Sequence, residues 1–223
     1  MQVAVVLAGS GRGDGSEIHE ASSCLIHLDR HKIAYRCFAP NKPQADVIDH
    51  VTGKPMHETR NVMVESARIS RGEISPLSKL DVDAFAGIVF PGGFGAAKNL
   101  CTFAKDGPEC TVDPDVERVV KGFRAKNKPI AMCCIAPVIA AKVLGTKVGG
   151  PGCEVTIGDD TATAGAIATM GSKNIARPVT EAVVDAKNRL VTTPAYMCDS
   201  GPYGVFTGIG RMIDEFVKMI GSR

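Results

Sequence analysis

Three short, nearly continuous apolar runs mark the chain: residues 2–8 (QVAVVLA), 84–90 (AFAGIVF) and 129–133 (PIAMC). A strand covered on both faces reads this way, because neither face alternates with polar residues. Between and after these runs, apolar residues recur at three- and four-residue spacing, which predicts helices. Ile18, Ala21, Leu25 and Leu28 share one face. Val116, Val119, Val120 and Phe123 share another, behind the helix-starting pair Asp113-Pro114. Residues 135–144 predict a helix stopped by Gly145. Val205, Ile209, Met212, Ile213, Phe216, Met219 and Ile220 predict a long C-terminal helix. All of these stripes are read as core packing.

Strand and helix in alternation predict βαβ units with right-handed crossovers and a mostly parallel sheet. Residues 41–79 read as an insertion of loops with a helix around 61–69. Residues 183–193 (VVDAKNRLVTT) read as a second insertion, a hairpin with its turn near Lys187-Asn188. No linker, repeat or low-complexity segment divides the chain, so residues 1–223 are expected to form one α/β domain.

Hydrophobic residues make up 44% and charged residues 22%, with a formal net charge of +2. No basic or aromatic-interleaved patch points to nucleic acid, and no apolar run reaches the length that spans a bilayer. The eight cysteines are too sparse for a disulfide framework, and the first residues already read as a strand rather than a signal peptide. Free thiols in a reducing compartment are expected: the cytoplasm, or the mitochondrial matrix if a targeting segment has been removed.

Ligands gather at the carboxyl ends of the strands in an open parallel sheet. Three segments fall there. Residues 9–20 (GSGRGDGSEIHE) follow the first strand but lack the third glycine of a dinucleotide fingerprint. Asp14, Ser16, Glu17, His19 and Glu20 cluster where the first helix begins, as capping groups or with one carboxylate turned inward. Residues 91–100 (PGGFGAAKNL) miss the phosphate-binding loop, having Ala97-Lys98-Asn99 where Gly-Lys-Ser/Thr is needed. Their adjacent glycines suit either a tight turn or amides turned toward an oxyanion.

In the third segment, residues 131–138 (AMCCIAPV), a strand ends and a helix begins within two residues. A side chain at such a nucleophile elbow stands proud of the sheet, and a helix N-terminus lowers a thiol's pKa. Cys134 occupies the turn, whereas Cys133 faces a neighbouring layer. No Cys-x-x-Cys spacing or zinc set exists. His27 and His31 lie four apart without a third ligand, and Cys198 follows a late strand as a buried or pocket-lining residue.

The chain resembles the ElbB glyoxalase-like family of the PfpI/ThiJ superfamily, which has the class I glutamine amidotransferase-like fold. The resemblance runs nearly end to end through DGSEIHE (14–20), CFAP (37–40), ETRN (58–61), ARISRGEI (67–74), PGGFGAAKNL (91–100), ECTVD (109–113), CIAP (134–137) and VTTPAYM (191–197). It implies a flavodoxin-like three-layer αβα sandwich. It also implies a nucleophilic Cys134, a contacting glutamate for which Glu17 fits better than Glu20, and oxyanion amides at Gly93 and Ile135. Amidotransferases of this fold carry a histidine after the cysteine. The five histidines here (19, 27, 31, 50 and 57) all precede Cys134, so glutaminase chemistry is disfavoured. His19 approaches from the opposite loop as a further candidate.

The activity implied is a cofactor- and metal-independent glyoxalase, of lyase type, acting on small 2-oxoaldehydes through a Cys134 hemithioacetal. A redox-sensing or partner-binding member with little catalysis is the alternative. Analogy with the fold gives a homodimer.

Overall fold

The computed structural model describes residues 1–221. Its centre is a seven-stranded sheet: β1 (Gln2–Val6), β2 (Ala34–Ala39), β3 (Ile74–Pro76), β4 (Ile88–Phe90), β5 (Ile130–Cys133), β6 (Val183–Asp185) and β7 (Leu190–Thr193). The strands lie in the order β6-β7-β5-β4-β1-β2-β3. All neighbours run parallel except β6, which returns antiparallel on β7 as the predicted hairpin. The sequence order jumps from β1 to β4 at the middle of the sheet, so the loops after β1, β4, β5 and β7 open onto one end.

Alternate residues of β1 feed two cores, as the period-2 geometry of a strand requires. Val3, Val5 and Leu7 face α1 (Ile18–Arg30) and the C-terminal helix α7 (Pro202–Gly221), through Ala21, Cys24, Leu28, Val205, Ile209, Met212, Ile213 and Phe216. Ala4, Val6 and Ala8 face the other layer, built from α4 (Pro114–Ala125), α5 (Pro137–Leu144) and α6 (Thr161–Thr169). Two short helices, α2 (Val62–Ser66) and α3 (Phe94–Lys98), sit in the loops at the open end. This is an α/β fold with helices on both faces of a mostly parallel sheet. No described helix is long and apolar enough to cross a membrane.

Three readings of the sequence are corrected. Residues 84–90 are not one strand: residues 82–84 form a 3₁₀ turn and only Ile88–Phe90 pairs. Just before the strand Gly87 lies against Phe216, whose Cζ would stand 2.6 Å from a Cβ at that position. Residues 41–79 and 183–193 are not wholly insertions, since β3 completes the sheet beside β2 and β7 joins it beside β5. Pro76 is tolerated because β3 is an edge strand. The helix expected at 61–69 closes earlier, as α2, behind its cap Asn61.

Phe216 is fully buried and seated on Gly87. Phe216→Ala is expected to cost about 3–5 kcal/mol of stability in urea unfolding. Tyr203→Ala, at an exposed position of α7, should stay within about 0.5 kcal/mol.

Candidate functional site

Cys134 is the residue that turns the chain from β5 toward α5, and it does so at φ +60°. A side chain rarely adopts this left-handed backbone, which costs on the order of 1–3 kcal/mol unless the surroundings hold it. The Cys134 amide is held by Thr193 O at 3.0 Å. One strand over, Ala195 makes a second left-handed turn at φ +46° and aims the Tyr196 amide at Glu20 Oε1, 3.2 Å away. Two strained turns at neighbouring strand ends therefore face one point.

That point is the contact between Cys134 and Glu20. The Cys134 thiol lies beside the Glu20 carboxyl, with the backbone amides of Gly93 and Ile135 near it. The Gly92 amide donates to Glu20, and Cys133 Sγ lies 4.0 Å from Glu20 Oε2. Gly92 must be glycine for this to close. A Cβ there would stand 2.3 Å from Cys134 Cβ and 2.6 Å from Glu20 Oε2. Gly93 serves the turn through its φ of +94°.

Glu20 is 0% exposed and lies in the first turn of α1. Burial raises its pKa from 4.5 to about 8, against hydrogen bonds from Cys134, Tyr196 and Gly92 that favour the anion. At neutral pH the carboxyl therefore holds its proton. The Cys134 thiol is pushed up, first by burial and then by the Glu20 charge, with the Gly93 and Ile135 amides opposing. This corrects the expectation of a depressed thiol. The helix that was to lower it begins only at Pro137, three residues on, and the sulfur is desolvated.

The structure also separates the two glutamates. Glu17 is the N-cap of α1, accepting the Glu20 amide at 2.9 Å, and its Oε1 is 3.8 Å from His19 Nδ1. It is Glu20, not Glu17, that meets the thiol. His19 is a rim residue with its side chain 55% exposed, and its Nδ1 is 2.6 Å from Tyr196 Oη. No hydrogen bond ties it to Cys134 or Glu20 among the interactions that fix that pair.

The remaining candidates have structural partners. Asp14 accepts the Ile48 amide and Ser16 the Ala8 amide, so neither caps α1. Lys98 bonds Gly13 O and Asp46. His27 bonds Phe206 O while His31 bonds Asp214, so the pair diverges. Cys198 Sγ faces Arg177 O. Tyr196 was not singled out from the sequence, because its backbone amide is what reaches the site.

No family model matches the chain. The rat ES1 protein homolog, mitochondrial, is 48% identical over 231 residues, covering 99% of this chain and 85% of that protein. The chain belongs to the ES1 family. A human relative of the same identity, glutamine amidotransferase-like class 1 domain-containing protein 3, mitochondrial, is covered over 84% of its length and matches 99% of this chain. Among solved structures, an Ehrlichia chaffeensis isoprenoid biosynthesis protein with amidotransferase-like domain superposes with TM-score 0.91 at 38% identity, over 99% of both chains. Schizosaccharomyces pombe DJ-1, at 19% identity and TM-score 0.57, shares the fold. This ES1 chain thus shares the flavodoxin-like architecture of the ThiJ/PfpI/DJ-1 structures.

For this ES1 family member the buried carboxyl makes stability depend on pH. Glu20 binds its proton more tightly folded than unfolded, so the folded state is favoured most below pH 4.5. That advantage is lost as pH rises toward 8. The slope reaches about 1.4 kcal/mol per pH unit within this window. Glu20→Gln keeps the shape and cannot ionise. Urea unfolding of the parent should lose stability relative to Glu20→Gln between pH 5 and pH 7.5, whereas parallel curves would contradict a buried, neutral Glu20.

Proposed function

We propose that the protein converts small 2-oxoaldehydes, glyoxal and methylglyoxal, to 2-hydroxy acids without glutathione, as a glyoxalase of the ElbB type. The observation that carries this reading is a thiol set beside one buried, protonated carboxyl and two backbone amides. An aldehyde needs just these groups. It asks for a nucleophile, an acid-base residue with a pKa near the working pH, and donors for an alkoxide. The Cys134 residue is only 7% exposed, which favours a small electrophile.

The steps balance without an external oxidant or reductant. Cys134 sulfur adds to the aldehyde carbon, and the thiol proton ends on the carbonyl oxygen. The Gly93 and Ile135 amides stabilise the alkoxide as it forms. In the resulting hemithioacetal the ionised fraction of Glu20, present near its pKa of about 8, takes a proton from the sulfur-bearing carbon to give an enediolate. It returns that proton to the adjacent carbon while the proton on the first oxygen passes to the second, leaving a 2-hydroxy thioester. Water cleaves the thioester to glycolate or lactate and restores the thiol. Carbon bound to sulfur is oxidised and its neighbour reduced by the same amount.

Glutamine hydrolysis is the competing chemistry suggested by the names of the human and Ehrlichia relatives. An amide has a poor leaving group and calls for a base beside the thiol. Every histidine of this chain precedes Cys134, and His19, on the facing loop, is bonded to Tyr196. The rat and human relatives are named as mitochondrial, and the same compartment is proposed for this protein.

Acid product from glyoxal and methylglyoxal, followed by NMR in the absence of glutathione, tests the proposal. Cys134→Ala should abolish turnover, and Glu20→Gln should lower it by about 10²–10⁴-fold. Glu17→Gln should leave it within about tenfold, since loss of a cap mainly affects stability. Conversion by Cys134→Ala at the parent rate would overturn the assignment. Absence of turnover, with Cys134 accumulating sulfinic acid under peroxide, would instead favour a redox role.

A further inference from the structure

One residue of the turn after β7 is gripped twice by the first turn of α1. The Tyr196 amide donates to Glu20 Oε1 at 3.2 Å, and the Tyr196 hydroxyl lies 2.6 Å from His19 Nδ1. Neighbouring residues of a helix project about 100° apart. Glu20 turns inward with no exposure, while the adjacent His19 stays on the rim. Tyr196 spans the two, with its backbone at the buried carboxyl and its phenol at the rim. The His19 and Tyr196 rings are tilted by 47° with centroids 5.9 Å apart, so they meet through their polar atoms and do not stack.

The turn that carries this amide needs a hold from outside. Residues 195–197 form a 3₁₀ turn entered through Ala195 at φ +46°. Its own bonds, Met197 N to Pro194 O at 3.0 Å and Cys198 N to Ala195 O at 3.1 Å, close within the turn and fix nothing relative to α1. Left-handed alanine is strained and favours relaxation of such a turn. The amide bond to Glu20 is at the long end of the usual range. The bridge to His19 is the shorter of the two and ties the far end of the same side chain to α1.

We propose that the His19–Tyr196 hydrogen bond is a clasp that holds the Tyr196 amide on Glu20, which makes both residues positioning residues for that carboxyl. They act on the thiol through Glu20. As a role in turnover this rests on the glyoxalase reading, whereas the hold on Glu20 does not.

An amide that donates to a carboxyl oxygen favours the anion. Opening the clasp therefore makes Glu20 harder to ionise. Other groups face the same carboxyl: Glu17 at the cap of its own helix, Cys133 and Cys134 at the end of β5, and the Gly92 amide after β4. Removing the phenol oxygen alters none of them. His19 carries a charge when protonated and lies 3.8 Å from Glu17 Oε1, so its substitution needs a control that keeps the bond and drops the charge.

Side-chain ¹³C titration of Glu20 tests the clasp. Tyr196→Phe keeps the ring that packs against the core shared by α1 and α7 and removes only the hydroxyl. Its Glu20 midpoint is expected to rise above the parent's by about 0.5–1 pH unit. His19→Ala should raise it equally, and the double variant no further, since both substitutions break one bond. His19→Asn puts a carboxamide where Nδ1 stands and should restore the parent midpoint. An unchanged midpoint in Tyr196→Phe would overturn the proposal, as would additive shifts in the double variant. A rise in His19→Asn as large as in His19→Ala would also overturn it, by assigning the effect to the imidazole charge. Where the parent turns over 2-oxoaldehydes, the pH dependence of kcat should move with the midpoint. A parent without turnover would fail the glyoxalase reading, and the midpoints would still decide the clasp.

Discussion

A protonated carboxyl pressed against a thiol is the contact on which this end of the molecule depends. Glu20 is enclosed where water cannot solvate its charge, and burial holds its proton into the neutral range. Four separate loops must agree for that to persist. The first turn of α1 carries the carboxyl, the Gly92-Gly93 turn and the elbow after β5 close on it, and the turn after β7 supplies the Tyr196 amide. Left-handed backbone at Cys134 and Ala195 is the strain this convergence stores. The surrounding fold holds it, since both turns spring from buried neighbouring strands joined in register from Ile130 to Cys133.

The layers on either side serve the same contact. α7 packs on α1. Gly210 gives way to the His27 ring at this helix interface, where a Cβ would stand 2.6 Å from His27 Cε1. His27 in turn bonds Phe206 O at 2.9 Å, and burial lowers its pKa, so it packs there as a neutral ring. Polar residues on the inner face of α1 thus do two jobs, docking the helix and delivering one acid to the strand ends.

Much of this was legible in the sequence, and the gaps have physical causes. Apolar runs located β1 and β5, and the run that stops at Cys134 before Pro137 located the elbow. β2 was missed because its first three residues, Ala34, Tyr35 and Arg36, are exposed and break the apolar pattern. The choice between Glu17 and Glu20 turned on the phase of α1. Its buried face contains Glu20, Ser23 and His27 among Ala21, Cys24 and Leu28, so polar residues masked the inward side. The Tyr196 amide left no mark, because a backbone donor has no side-chain signature. The Gly93 and Ile135 amides were named only through the family resemblance.

The state of the Glu20 carboxyl decides whether this contact is what organises the site. Side-chain ¹³C NMR of the protein, with Glu20 assigned by its loss in Glu20→Gln, measures it directly across a pH titration. The account predicts a carboxyl still protonated at pH 7 with a midpoint near 8. A midpoint near the ordinary 4.5 would mean an ionised Glu20 beside the thiol and would contradict it.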